Sequence, residues 1–268
     1  MSRAPLSEAA VHCRDLVRRV DPDRALLAEL APATARPHLW AIAAFDWEVG
    51  RIPDLVSEPM LGAIRRQWWR DAWAEIAAGE PRRHPVVEAL TEAHRVSPLP
   101  LGAVEGYLDA REAEQDGPPS SLQNMKDRAA AVGGGIAGLE AACLGQAAPS
   151  LGAAWVMVGE LRALPLRLRN GRHGLPADRV AALDPDLERL DPNDLGADFT
   201  GMIQEIVEEA ETLLRAADVK APMFRGYRRM TLHYTRQLRK QGWNPFAERI
   251  NARTLGRAWS VAGVKLRL

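Results

Sequence analysis

The chain is poor in cysteine, in long apolar runs and in any excess of one charge. Its 268 residues include two cysteines, Cys13 and Cys143, far apart and too few for a disulfide framework or a metal-ligand cluster. That usage suits a reducing compartment such as bacterial cytoplasm. Lys plus Arg and Asp plus Glu number 35 each, so no overall field draws the chain to nucleic acid or to an anionic membrane. No uncharged stretch of about 18 residues occurs, which argues against a spanning helix and leaves only the surface of a membrane to meet. The opening residues MSRAPLSEAAVHCRDLVRRV lack the continuous apolar core of a secretory signal, so the expected location is cytoplasmic, with peripheral contact at the inner face of the membrane left open. A Gly-rich phosphate loop is missing too, because the glycines at 133–135 sit inside a helical pattern and not between a strand and a helix. His84, His94, His173 and His233 have no mutual metal-ligand spacing and read as ordinary polar residues.

What the chain does have is helical period almost throughout. Ala, Leu, Arg and Glu dominate, β-branched runs are scarce, and breaks fall at Pro or Gly clusters. The pattern predicts helices near 7–19, 23–30, 35–52, 57–79, 83–95, 99–114, 120–145, 149–169, 193–217, 222–241 and 246–265, with a long irregular stretch at 171–193. The breaks are too short for interdomain linkers, so a single all-α domain over 1–268 is expected. Two helices, AAAVGGGIAGLEAACLG (129–145) and LGAAWVMVGEL (151–161), carry small residues where Leu or Ile would be usual. Close helix packing is the plainer explanation, and a cavity for a long apolar ligand is the sharper one.

The stretch LGAAWVMVGELRALPLRLRNGRHGLP (151–176) resembles a signature of the squalene/phytoene synthase family, in which Leu-Gly-x-Ala-x-Gln-x-x-Asn-x-Leu-Arg-Asp-x-x-x-Asp is followed by Gly-Arg-x-Tyr-Leu-Pro. Leu151, Gly152, Ala154, Leu161, Arg162, Gly171, Arg172, Leu175 and Pro176 match without a gap. PATARPHLWAIAAFDWEVGRIPDLV (32–56) is similar to the family's first aspartate segment, and YTRQLRKQGWNPFAERI (234–250) to its final helix pair. The resemblance implies the all-α isoprenoid-synthase fold, a helical bundle around a central cavity. It also implies a chemistry. Condensing prenyl diphosphates neutralises the departing diphosphate with magnesium held by Asp-x-x-x-Asp carboxylates on facing helices.

The residues depart from that chemistry. In the second motif the two aspartate positions hold Ala163 and Arg167, the Gln and Asn positions hold Val156 and Gly159, and the Tyr position holds Gly174. In the first motif the leading aspartates are Gly50 and Arg51, leaving only Asp54. A guanidinium cannot ligate magnesium and repels it. Pro165, inside the second-motif helix, is expected to disturb its geometry. Asp46, Glu48 and Asp54 lie on the first-motif helix, and Asp46 and Asp54 are expected to pair with Arg51, Arg162 or Arg167, closing the old site. Asp109, Glu112 and Asp116 form an acidic ridge that reads as a solvated face with arginine partners.

Arg162-Ala163-Leu164-Pro165 and VSEPMLGAIRRQWWRD (56–71) resemble a non-catalytic branch of the superfamily that includes a mitochondrial assembly factor for respiratory complex I. Arg65, Trp68, Trp69, Arg70 and Trp73 have hot-spot composition, although Trp69 and Trp73, four apart, are expected to be core. Trp243 is expected to anchor a helix end. Two functions follow. The first is a non-catalytic assembly or chaperone-type factor without metal, with respiratory-complex subunits or a lipid or prenyl chain as partners. Its cavity candidates are Asp46, Glu48, Arg51, Asp54, Arg162, Arg167 and Arg172. The second is an active head-to-head prenyl diphosphate transferase, requiring magnesium at a rebuilt site.

Overall fold

A computed structural model describes residues 5–56, 58–183, 187, 190–251 and 264. Helix is the regular structure throughout, and among the described residues the only β-type pairing is an isolated bridge between Asp191 and Asp194. The chain packs as two compact units assembled from discontinuous segments.

The first unit comprises residues 1–115, 135–147 and 220–223. It contains α1 (Glu8–Val20), α2 (Pro22–Ala28), α3 (Arg36–Gly50), α4 (Ile52–Leu55), α5 (Pro59–Ala78), α6 (Pro85–Val96), α7 (Leu101–Ala113) and the second half of α8 (Leu122–Leu144). The helix starts follow capping chemistry. Ser7 Oγ accepts from the Ala10 amide at 3.1 Å, Asp21 Oδ1 accepts from the Arg24 amide at 2.9 Å, and proline occupies the first turn of α2 to α6. Gly79, at φ 80°, closes α5 in the left-handed conformation that glycine adopts without strain. The core of this unit is α3. Leu39, Trp40, Ala41, Ile42, Ala43, Ala44, Phe45 and Val49 are all buried, so the helix is apolar on nearly every side and α1 and α6 pack against it. Trp69 and Trp73 of α5 meet Phe45 edge-on, with ring centroids 5.0 and 5.4 Å away, as their spacing predicts. Cys13 and Cys143 are free thiols, each pushed up to about 12 chiefly by burial.

The second unit comprises residues 116–134, 148–219 and 224–268. It holds the first half of α8, α9 (Pro149–Arg169), α10 (Ala177–Leu183), α11 (Ala197–Ala216), most of α12 (Pro222–Lys240) and α13 (Glu248–Asn251). A Cβ at Gly133 of α8 would overlap the Gly152 carbonyl of α9 and stand 2.7 Å from the Ala153 nitrogen. Here the small residues serve backbone-to-backbone packing. α9 runs unbroken through Pro165, which corrects the expected disturbance there: a missing N–H removes one bond from the ladder, and packing of Leu161 and Leu164 into the core holds the helix. α10 lies in the stretch expected to be irregular. It buries no side chain, so no apolar period announces it. The expected helix at 246–265 is described only at Glu248–Asn251 and residue 264, and the rest of it lies outside the described residues. Trp243 ends α12 with its amide donating to Leu238 at 2.8 Å, at a φ of 62° rare for a large side chain.

Gly133→Ala is expected to lower stability by about 1–3 kcal/mol, because the clash is with backbone and cannot be relieved by a rotamer. Gly201→Ala on α11, with open space around the new methyl, should raise stability by up to about 1 kcal/mol. Thermal melts of the two variants check the contrast, and equal melting temperatures would refute the close α8–α9 approach.

Candidate functional site

The second-motif residues lie on α9. Arg167 donates through Nη2 to Glu160 Oε1 at 2.7 Å, two turns back on the same helix, and both side chains are largely buried. Internal pairing of Arg167 was expected, but with Asp46 or Asp54, and Glu160 is the acid it has. Gly174 explains why Glu160 fits. A Cβ there would overlap Glu160 Oε2, so the position where the family pattern has tyrosine has been emptied and the Glu160 carboxylate occupies the space beside it. Arg162 lies flat over Tyr234 of α12, its guanidinium carbon 3.6 Å from the ring centroid. Trp155 packs edge-on against Tyr227 at 4.9 Å. Arg172 and Ala163 are half-buried.

In the first unit Asp46 is the centre of a buried ion network. Arg24 Nη1 approaches Asp46 Oδ2 at 2.7 Å, Arg111 Nη2 donates to Oδ1 at 2.8 Å, and the Tyr107 hydroxyl donates to Oδ1 at 2.6 Å. The expected partners of Asp46 were Arg51, Arg162 or Arg167, and that is corrected: its cations come from α2 and α7, which pack on the Asp46 face of α3. Burial alone would raise this carboxyl, but Arg24 and Arg111 outweigh it and hold it at about 2. Burial would also disfavour the charged form of Arg111, yet Glu114, Tyr107 and Asp46 keep it firmly protonated. Gly50 lies on the same side, its missing Cβ 3.4 Å from Arg111 Nη2. Asp54 is solvent-exposed on α4.

The next face of α3 borders a pocket of about 400 Å³, lined by Leu16, Trp47, Glu48, Arg51, Ile52, Leu55, Ile64, Arg65, Trp68, Trp69 and His84. Two sequence candidates, Glu48 and Arg51, meet here, whereas Asp46 lies in the network just described. Arg51 leans over Trp47 at 5.6 Å, and Arg82, held by Glu75, covers Trp68 at 4.7 Å. Glu48 is pushed up to about 7 by burial, a rise that Arg51 only partly offsets. His84 Nε2 stands 3.5 Å from Glu48 Oε2, and burial, then His12, lower the imidazole against the pull of Glu88. Sequence reading missed His84 and Trp47. The i, i+1, i+4, i+5, i+8 run of 47, 48, 51, 52 and 55 was the available signal for Trp47. Nothing near His84 signals a pocket, since a loop brings it there. The acidic ridge behaves as expected, with Arg70 bridging Asp109 at 2.6 Å and Glu112 at 3.0 Å. The same bridging removes Arg70 from any free hot spot.

The donors at the motif positions do not suit a hard divalent cation: Asp54 alone keeps a carboxylate, exposed on α4, while Gly50, Arg51, Ala163 and Arg167 supply none, and Arg167 is tied to Glu160. The fold and these motifs nevertheless define the class, for a family model described as squalene/phytoene synthase matches residues 17–257, and the chain belongs to that family. It is similar to NADH dehydrogenase (ubiquinone) complex I, assembly factor 6 of Bos taurus, 30% identical over 175 residues, or 62% of this chain and 53% of that protein. The Mus musculus protein of the same name is 28% identical over 176 residues, with 63% and 53% covered. The chain spans about half the length of the curated relatives it matches. Among solved structures, a dehydrosqualene synthase in complex with ligand superposes with a TM-score of 0.82 at 13% identity, covering 97% of this chain and 96% of that one. Squalene synthase HpnC from Alicyclobacillus acidocaldarius gives 0.69 at 20% identity, covering 89% and 95%. At such identities these two structures show the fold, which is the all-α isoprenoid-synthase fold the motifs imply.

Asp46→Ala is expected to cost about 2–3 kcal/mol, because it removes the anion two buried guanidiniums share and leaves Arg24 with Asp21 at 3.6 Å and Arg111 with Glu114 at 2.9 Å. A urea melt showing less than about 1 kcal/mol would refute the network. Glu48 contributes in the opposite sense to an ordinary surface acid. Its native value near 7 exceeds the ordinary 4.5, so between those pH values the native state keeps a proton that the unfolded chain has lost. Stability conferred by that proton is full below about 4.5 and is lost as pH rises through about 7. Relative to Glu48→Gln, the parent should lose on the order of 1–2 kcal/mol between pH 5 and pH 8. That is below the full linkage value, because part of the side chain is solvated. Paired melts at the two pH values measure it, and parallel curves would refute it.

Proposed function

We propose that the chain is a non-catalytic member of its family, acting as an assembly or chaperone-type factor of the kind its assembly factor 6 relatives are named for. The observation that carries this reading is the Glu160–Arg167 pair beside Gly174. Where the family pattern has aspartate and tyrosine, this chain has a self-neutralised ion pair and the space to hold it. Diphosphate departure without a carboxylate-held cation leaves its developing charge uncompensated, so no magnesium cofactor is assigned. Partners would be respiratory-complex subunits, together with a lipid or prenyl chain held without turnover. Work at the inner face of a membrane, from the cytoplasm, is compatible with helices none of which, among the described residues, is long and apolar enough to cross it.

Purified protein given magnesium with farnesyl or geranylgeranyl diphosphate is expected to release no diphosphate above background, by a coupled phosphate assay. Turnover abolished by Asp54→Ala would instead establish a rebuilt catalytic site and the prenyl diphosphate transferase reading. Deletion in the source organism should lower assembled NADH dehydrogenase complex on native gels. Restoration by the wild-type chain is expected, and an unchanged complex would sink the assembly role. Arg167→Asp should lower the melting temperature with or without magnesium, since it places a second acid beside Glu160. A variant as stable as the parent and further stabilised by magnesium would refute the pairing.

A further inference from the structure

The pocket on the first unit has features that neither the family motifs nor the assembly reading account for. Of the motif positions only Arg51 reaches it. The rest of its wall comes from Trp47 and Glu48 of α3, from α1, α4 and α5, and from the residue preceding α6. Three of its side chains are tryptophans, and its volume of about 400 Å³ is that of a small-ligand site and not of a flat protein contact. Arg51 and Arg65 border it, and neither guanidinium has a carboxylate within 4.0 Å among the described residues. The less exposed Arg24, Arg70, Arg82, Arg111 and Arg167 each have one, whereas Arg51 is half-buried and Arg65 is exposed. The mouth is apolar. Leu55 and Ile64 line the pocket while 43% and 59% exposed, and Met60 and Leu61 beside them are 72% and 46% exposed. These are four of the seven exposed large apolar side chains described, gathered within ten residues. Scattered exposed leucines need no explanation, but a cluster at the rim of a cavity does.

We infer that this pocket binds an anionic amphiphile, its apolar chain against Trp47, Trp68 and Trp69 and its head, a carboxylate or phosphate monoester, on Arg51 and Arg65. A guanidinium receives either head with two parallel N–H donors, and it does so without a metal. The aromatic walls and the apolar lip supply the favourable transfer of the chain from water. Glu48, largely protonated below neutrality, leaves the two arginine charges uncancelled there, and His84, Arg51 and the Cys13 thiol are the other titratable or charged groups that bear on it. The site deepens the lipid-ligand part of the proposed function and rests on that part alone.

The test is isothermal titration of decanoate and of decyl phosphate, below their micellar range, into the full chain, with 1-decanol as the uncharged control. Saturable one-to-one binding of at least one anion is expected, at least tenfold tighter than 1-decanol. The tighter of the two identifies the head. Arg51→Gln/Arg65→Gln should weaken that anion at least tenfold, whereas Arg179→Gln, which breaks an exposed pair with Glu205 far along the chain, should not. The inference is overturned if neither anion saturates, if 1-decanol binds as tightly, or if the double variant binds as the parent does. Should the double variant fail to fold, the comparison of anion and alcohol on the parent decides alone. Diphosphate release is a separate readout: a chain that turns over prenyl diphosphate yet binds decanoate at these arginines keeps this site and loses the non-catalytic reading.

Discussion

A guanidinium taken out of water needs a carboxylate, and this requirement organises both units. Arg24 and Arg111 converge on Asp46 from α2 and α7, and Arg167 folds back on Glu160 along α9. Arg66, almost wholly buried on α5, donates to Gln115 at 2.6 Å and faces Glu112 at 3.9 Å. Gly62 stands close by, where a Cβ would overlap the Gln115 amide. Buried pairs of this kind add little net stability over apolar packing, but breaking one leaves a charge that nothing solvates. The pairs that join two helices, such as Arg24 and Arg111 with Asp46, therefore bear on which helices lie next to one another more than on how tightly they hold.

The same rule governs the altered motif. Replacing a carboxylate by arginine is tolerable only if an acid comes with it and a space opens for that acid. Glu160 and Gly174 meet those two conditions, and Arg162 finds a ring face on Tyr234. Two departures from the motif, Arg167 and Gly174, and Glu160 at a position the motif leaves open become one electrostatic adjustment in space. The first motif went differently: Gly50 faces Arg111, whose charge is met by Asp46, one turn before Gly50, and by Glu114 on its own helix end.

Much of the fold was legible because helical period, proline at first turns and serine or aspartate caps are local signals, and ten of the helices fall close to where those signals put them. What escaped was non-local. α10 buries nothing, so it writes no stripe into the sequence. The small residues of α8 and α9 were ambiguous until Gly133 met the Gly152 backbone, a contact no periodicity encodes. At the site, the need for pairing was legible in the arginines themselves, but the partners were not, since Glu160 looked like part of a helix face and Arg111 like part of an acidic ridge. His84 reached the pocket from a turn, and only tertiary structure brings it to Glu48.

The Asp46 network also bears on how the chain is made. Arg24 precedes Asp46, but Arg111 lies 65 residues after it. At a synthesis rate of roughly 5–20 residues per second, several seconds separate the emergence of the acid from that of its second cation. During that interval α1, α2 and α3 can assemble around a single charge pair. The arrival of α7, with Tyr107 and Arg111 one turn apart, then completes the carboxylate's coordination and turns a provisional helical cluster into a committed one.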